Sequence, residues 1–238
     1  MSESIDRAVL YADPKDPVLP PTGFSLDRKR AALLVVDPQN DFLSPQGVSW
    51  AFFGASITEN GTVPNLGKLF VASKAAGITV AISPHYYYPT DQAWTFGGPL
   101  EKFMHQIGMF SRQGALSLEN FTGSGADFLE EFKQYILDGK TVIASPHKIY
   151  GPETSDLVLQ LRKRGVSQVI LAGMAANLCI EGHLRELIEQ GFEVVIVKDA
   201  TAGPRAPEGD GYLAALINFR FLAHAMWTTE QTVNELQK

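Results

Sequence analysis

The chain has 238 residues, 45% of them hydrophobic, enough to bury the core of one large α/β domain or two small ones. A formal net charge of −6 and a pI near 5.4 supply no uniform positive field for nucleic acid or anionic lipid. The single cysteine excludes an intramolecular disulfide framework and a cysteine-rich zinc site and fits a reducing compartment, with the cytoplasm as the default.

Residues 1–30 read as a Pro-rich N-terminal extension in which no apolar stretch follows a basic start, so neither a signal peptide nor an anchor is expected. No apolar run approaches the ~20 residues of a spanning helix. From Ala31 onward short β-branched runs alternate with helical patterns, the mark of a parallel sheet wrapped by helices. Strands are expected at Ala32–Val36, Thr79–Ser83, Thr141–Ala144, Gln168–Ala172 and Glu193–Val197, with a sixth at His224–Thr228; nearly all are apolar, as strands buried on both faces should be. Helices are expected at Pro64–Ala76, Ala126–Leu137, Ser155–Arg164, Leu178–Gln190 and Gly211–Phe221, several closed by a glycine just past the end. One domain over 31–238 accommodates this rhythm. A variable insertion over 84–125, carrying Tyr86, Tyr87, Tyr88, Trp94 and Phe96, interrupts it, either closing over a site or packing against a neighbouring subunit.

In open α/β sheets ligands bind outside the carboxyl ends of the strands, where Asp37, His85, Lys148 and Cys179 all fall. A thiol becomes a strong nucleophile as thiolate, and a helix N-terminus with a nearby cation lowers its pKa. Cys179 at the start of a helix, with Lys148 supplying charge and Asp37 taking the thiol proton, makes a hydrolytic constellation; the small residues 173–177 offer backbone N–H groups to an oxyanion. Singly, each has a structural reading: a core cysteine, a turn aspartate, a solvated lysine. Asn40 and Phe42 stand close enough to line the pocket, with a helix cap and a core aromatic as the alternatives. His85 is a substrate contact or a packed loop residue. His105, His147, His183 and His224 lack metal-ligand spacing with one another, and Asp199, Thr201 and Gly203 read as loop-holding residues.

Through LLVVDPQNDFL at 33–43, HKIYG at 147–151 and GMAANLCIEGHLRELIEQGFEVVIVKDATAG at 173–203, the sequence resembles the isochorismatase-like cysteine hydrolases, which include nicotinamidases, N-carbamoylsarcosine amidases and ureidoacrylate or biuret amidohydrolases. The resemblance implies a three-layer α/β/α sandwich around a mainly parallel, Rossmann-like sheet of about six strands. It also implies a catalytic triad of Asp37, Lys148 and Cys179, an oxyanion hole from the N–H groups of Ala175 and Cys179, and a cis peptide at Met174–Ala175. Asn40, Phe42, His85 and Trp94 become the substrate-binding set. The implied reaction is cleavage of a C–N bond in a small amide, carbamoyl or ureido compound through an acyl-enzyme. The alternatives are an isochorismatase-type vinyl ether hydrolase and a non-catalytic binding protein on the same fold. Nicotinamidases hold a metal with an Asp and three His after the second strand; here Ser83 and Asp91 replace two of those positions and only His85 stays in register, so no metal and no organic cofactor is expected. Partners are a small-molecule amide and further copies of the chain, as a dimer or tetramer.

Overall fold

The computed structural model describes residues 7–238. Eight strands and ten α-helices are assigned in them. The strands are β1 (Ala31–Val36), β2 (Thr79–Ser83), β3 (Val142–Ile143), β4 (Gln168–Met174), β5 (Glu193–Ala202), β6 (Arg205–Ala206), β7 (Gly209–Asp210) and β8 (Ala225–Trp227). The helices are α1 (Arg7–Leu10), α2 (Asn40–Leu43), α3 (Trp50–Asn60), α4 (Thr62–Ala75), α5 (Pro99–Gln106), α6 (Glu130–Ile136), α7 (Leu157–Lys163), α8 (Glu181–Glu189), α9 (Gly211–Leu222) and α10 (Thr229–Gln237). Six strands form one all-parallel sheet in the order β3-β2-β1-β4-β5-β8, and β6 and β7 form a small antiparallel hairpin. The α/β/α architecture is therefore present with the number of sheet strands anticipated.

Two apolar layers account for the continuous hydrophobicity of the strands. Along β1, Leu33 and Val35 enter the layer with α3, α4 and α6, whereas Ala32, Leu34 and Val36 enter the layer with α7, α8 and α9. Every residue of β1 and β4 is buried, so β1, and β4 after Gln168, read as unbroken apolar runs. Gly173 is required where these strands approach: its φ is 113°, and a Cβ there would collide with the Val36 carbonyl.

Five helices escaped the sequence reading: α1, α2, α3, α5 and α10. In α3 the sequence WAFFGASITEN shows no clean polar face, because Phe53, Gly54, Ser56 and Ile57 are all buried. The insertion contributes α5, which begins on Pro99 with the Glu101 side chain accepting from the N–H of Gly98 at 2.8 Å. Of the N-terminal extension, Tyr11 donates to Asp210 at 2.6 Å, Thr22 to the His224 carbonyl at 2.6 Å, Phe24 packs edge-on to Trp227 of β8, and the chain then crosses to the start of β4, where the Asp27 N–H donates to Gln168 at 2.7 Å. Residues 1–6 of that extension lie outside the described residues.

Candidate active site

The sheet order reverses between β1 and β4, and the carboxyl ends of β1, β2, β3 and β4 converge at this switch point. Asp37 follows β1 with φ at 49°, its N–H donating to the Ser83 carbonyl at 3.0 Å. Its side chain is fully buried. His85 and His147 follow β2 and β3, pair as a parallel bridge, and bring their rings 4.6 Å apart. Cys179 belongs to a π-helical turn, Ala176–Ile180, that leads into α8. Such turns recur at functional sites because they re-aim one side chain. The N–H groups of Leu178 and Ile180 both bond the Ala175 carbonyl, at 3.0 and 3.1 Å, and the Met174–Ala175 peptide is cis.

One ligand-type atom from each of Asp37, His85, His147 and Cys179 lies within 4.8 Å of all the others. His147 Nε2 sits 2.8 Å from Asp37 Oδ1. Asp37 Oδ2 is buried without a hydrogen-bond partner among the described residues, and the neighbouring Cys179 thiol favours its charged form. Desolvation pushes the Asp37 carboxyl above its ordinary range, opposed by His147 and by the thiol. Burial, reinforced by the charge of Asp37, pushes the Cys179 thiol well above its usual value, against backbone bonds from Ala175 and Cys179 that favour the thiolate. The resting sulfur is a protonated thiol beside a base, not the pre-formed thiolate expected from a helix end and a lysine.

Lys148 does not join this cluster, which corrects the expected triad geometry. Its Nζ lies 2.5 Å from Asp91 Oδ2, donates to the Tyr86 carbonyl at 2.7 Å and stands 3.7 Å over the Tyr88 ring. Successive side chains along an extended segment point to opposite sides. In the stretch after β3 it is therefore His147 that faces Asp37, while Lys148 turns away to tie down residues 86–91. The Lys148 backbone still serves the site, since its carbonyl accepts from His85 Nε2 at 3.1 Å.

The remaining candidates divide. Phe42 and His85 line the cavity described below, Phe42 as a wall and His85 stacked 4.9 Å from Phe110. Asn40 does not line it: its side chain donates to the Ser124 carbonyl at 2.8 Å, so it is a structural link. Trp94 is also absent from the lining; it packs on Tyr87 and His105, each 5.9 Å away, and is 38% exposed. Two more residues of the same motifs support the site: Gln39, which escaped the sequence reading, and His183, which is packed rather than catalytic. Gln39 is fully buried, accepts from the His85 N–H at 2.8 Å and donates to the carbonyls of His85 and Ala126, fixing where His85 stands. His183, one turn past the cysteine, bridges the Cys179 carbonyl and Ser83 Oγ at 2.7 and 2.8 Å, with its pKa lowered by burial to about 3.

The nicotinamidase-type metal positions do not come together: Ser83 is engaged by His183, and Asp91 by Lys148 and the Tyr88 N–H. Asp37, His85, His147 and Cys179 form the donor set in which an O/N/N/S cation such as Zn²⁺ would fit, at the cost of occupying the thiol. Cys179 opens onto a cavity of about 540 Å³ between α3, α5 and the β6–β7 hairpin. A larger groove of about 1080 Å³, lined from α4 and α10, contains none of these four residues.

The isochorismatase-domain family model matches residues 31–231, nearly the whole described chain. The chain belongs to the isochorismatase family. As an isochorismatase-family hydrolase it is similar to the ureidoacrylate amidohydrolase RutB of Variovorax paradoxus (strain S110), at 29% identity over 197 residues, 79% of this chain and 75% of that protein. Its fold is similar to that of a cysteine hydrolase from Pseudomonas syringae pv. phaseolicola 1448A, with a TM-score of 0.72 at 20% identity over 93% of this chain and 99% of the other. It is also similar to that of nicotinamidase PncA from Bacillus subtilis, with a TM-score of 0.59 at 18% identity over 84% and 99%. Among the described residues no helix is long and apolar enough to cross a membrane.

Proposed function

We propose that this isochorismatase-family hydrolase cleaves a C–N bond of an amide, carbamoyl or ureido compound, with Cys179 as nucleophile, Asp37 as proton carrier and His147 as the group that holds Asp37. The observation that carries the reading is the convergence of these three side chains, fully or almost fully buried, with Cys179 opening onto the cavity. The similarity to a ureidoacrylate amidohydrolase supports carbonyl chemistry on nitrogen-bearing substrates.

The steps follow from the positions. The thiol proton passes to Asp37 as Sγ attacks the carbonyl carbon, so the thiolate is generated only in the presence of substrate. The oxyanion hole of this mechanism is formed by the N–H groups of Ala175 and Cys179, a role supported by their favouring negative charge on the sulfur. Collapse breaks the C–N bond, and the leaving nitrogen takes the proton from Asp37. Water then gives a proton to Asp37 and its hydroxide to the thioester carbonyl; the acid leaves and the proton returns to sulfur. His147, donating Nε2–H to Asp37 Oδ1, steadies the carboxylate between transfers. The chemistry uses no resident metal, because a cation in the four-donor cluster would tie up the thiol.

An ammonia-release screen over small amides, carbamoyl and ureido compounds tests the reading, with Cys179→Ala as the control. Turnover by the wild type and none by the variant is the expected result. Ammonia release that survives the substitution, or pyruvate release from isochorismate by the Cys179→Ala protein in a parallel assay, assigns the site to thiol-independent hydrolysis instead.

A further inference from the structure

The walls of the cavity above Cys179 carry information about substrate that the reacting groups do not. Phe52 and Phe53 from α3, Leu100, Phe103 and Met104 from α5, and Phe110 form its sides. Among the described residues no lysine or arginine lines it, and Glu208 on the β6–β7 hairpin is the one charged lining residue, itself exposed. Of the cations on surrounding segments, Lys148 is held by Asp91, Arg205 by Glu59 and Tyr11, and Arg112 over the rings of Tyr86 and Phe121, while Lys102 on α5 is exposed and does not line the cavity.

We infer that the group attached to the scissile amide is aromatic or bulky aliphatic and uncharged, and that a substrate bearing a carboxylate, such as a ureido acid, is disfavoured. This rests on the amide-hydrolase reading above and adds the substrate class to it. A carboxylate drawn into this cavity would lose its water without gaining a cation, and it would pass Glu208 on entry. An apolar cavity of about 150 Å³ is enough for a benzene ring. The 540 Å³ found here therefore has room for a ring system with its amide reaching Cys179. The aromatic side chains at 52, 53, 103 and 110 offer edges and faces to such a ring. The insertion thus contributes to the site through α5 and Phe110, whereas its most conspicuous residues, Trp94 and the exposed Phe96, do not line the cavity.

The test compares kcat/KM for primary amides of matched length ending in a phenyl, an isobutyl or a carboxylate group, together with 3-ureidopropanoate. The phenyl and isobutyl amides should exceed the carboxylate compounds roughly 100-fold or more, since hydrophobic pockets discriminate about 10- to 200-fold for each methylene they cover. Leu100→Arg should narrow that ratio at least tenfold by supplying the missing cation. Equal or better turnover of the carboxylate compounds by the wild type overturns the inference. If no amide is turned over, the hydrolase reading fails by itself, and calorimetry on the Cys179→Ala protein decides the cavity's preference. Saturable binding of the phenyl amide and weaker binding of its carboxylate analogue supports the apolar assignment; no binding of the phenyl amide, or tighter binding of the carboxylate analogue, overturns it.

Discussion

At the scale of single residues the site turns on the difference between positions 147 and 148. His147 touches the carboxylate that serves the thiol, and Lys148 secures a loop. His147→Ala should therefore lower kcat roughly 10²- to 10⁴-fold, the range for a misplaced proton-transfer group. Lys148→Ala should leave kcat within about tenfold, less than ~1.4 kcal/mol of barrier. Steady-state kinetics on both variants checks the pair; the reverse ordering would restore the lysine to the triad. Asp37 also sets the pH dependence. It must be charged to accept the thiol proton, and burial raises its pKa, so kcat/KM should fall with acidification through a value above the ordinary carboxylate pKa of about 4. His147 opposes that rise. Residual activity of His147→Ala should accordingly lose its acid limb at higher pH than the wild type, which a kcat/KM profile of both proteins reads directly.

At the scale of elements, what the sequence made legible follows burial. Strands β1, β2, β4 and β5 are apolar on both faces and bounded by turn residues, so their places could be read within a few residues; β3 shrinks to two residues because only Val142 and Ile143 pair with β2. Helix α3 was hidden by its own apolar sides and by a mid-helix glycine, and α5 by lying inside a segment that reads as loop. Asp37 and Cys179, the proposed proton carrier and nucleophile, were readable because Asp37 directly follows apolar β1 and Cys179 lies in the turn that leads from apolar β4 into α8. The third partner was missed by one residue, since a segment without regular hydrophobic alternation gives no sign of which side of the chain faces the pocket. Helix α8 carries a separate prediction. His183 is neutral in the folded chain down to about pH 3 and ordinarily titrates near 6.5, so the unfolded state alone binds a proton between those values. Stability should fall as pH drops below 6.5, by up to about 1.4 kcal/mol per pH unit from this group. Urea unfolding at pH 7 and pH 5 should show His183→Gln with a shallower loss than the wild type; equal losses would mean that burial of this imidazole contributes nothing to acid sensitivity.

For the whole molecule, the strand order decides where chemistry is possible. Reversal between β1 and β4 leaves a crevice into which four consecutive strand ends deliver an acid, two imidazoles and a thiol, while α3, α5 and the hairpin roof it with apolar side chains. Family membership and α/β/α architecture were legible in the motifs; the shape and polarity of the roof were not, because they depend on how a long insertion folds back. The whole mechanism depends on the sulfur of Cys179 becoming acylated during turnover. Rapid-quench intact-mass spectrometry, using an amide that the ammonia screen identifies as turned over, tests it most directly. A transient mass increase equal to the acyl group is expected, confined to the peptide containing Cys179 and missing from Cys179→Ala. Turnover without any such species on the wild type, under conditions where the second step is slowed, or an acyl group on another residue, would contradict it.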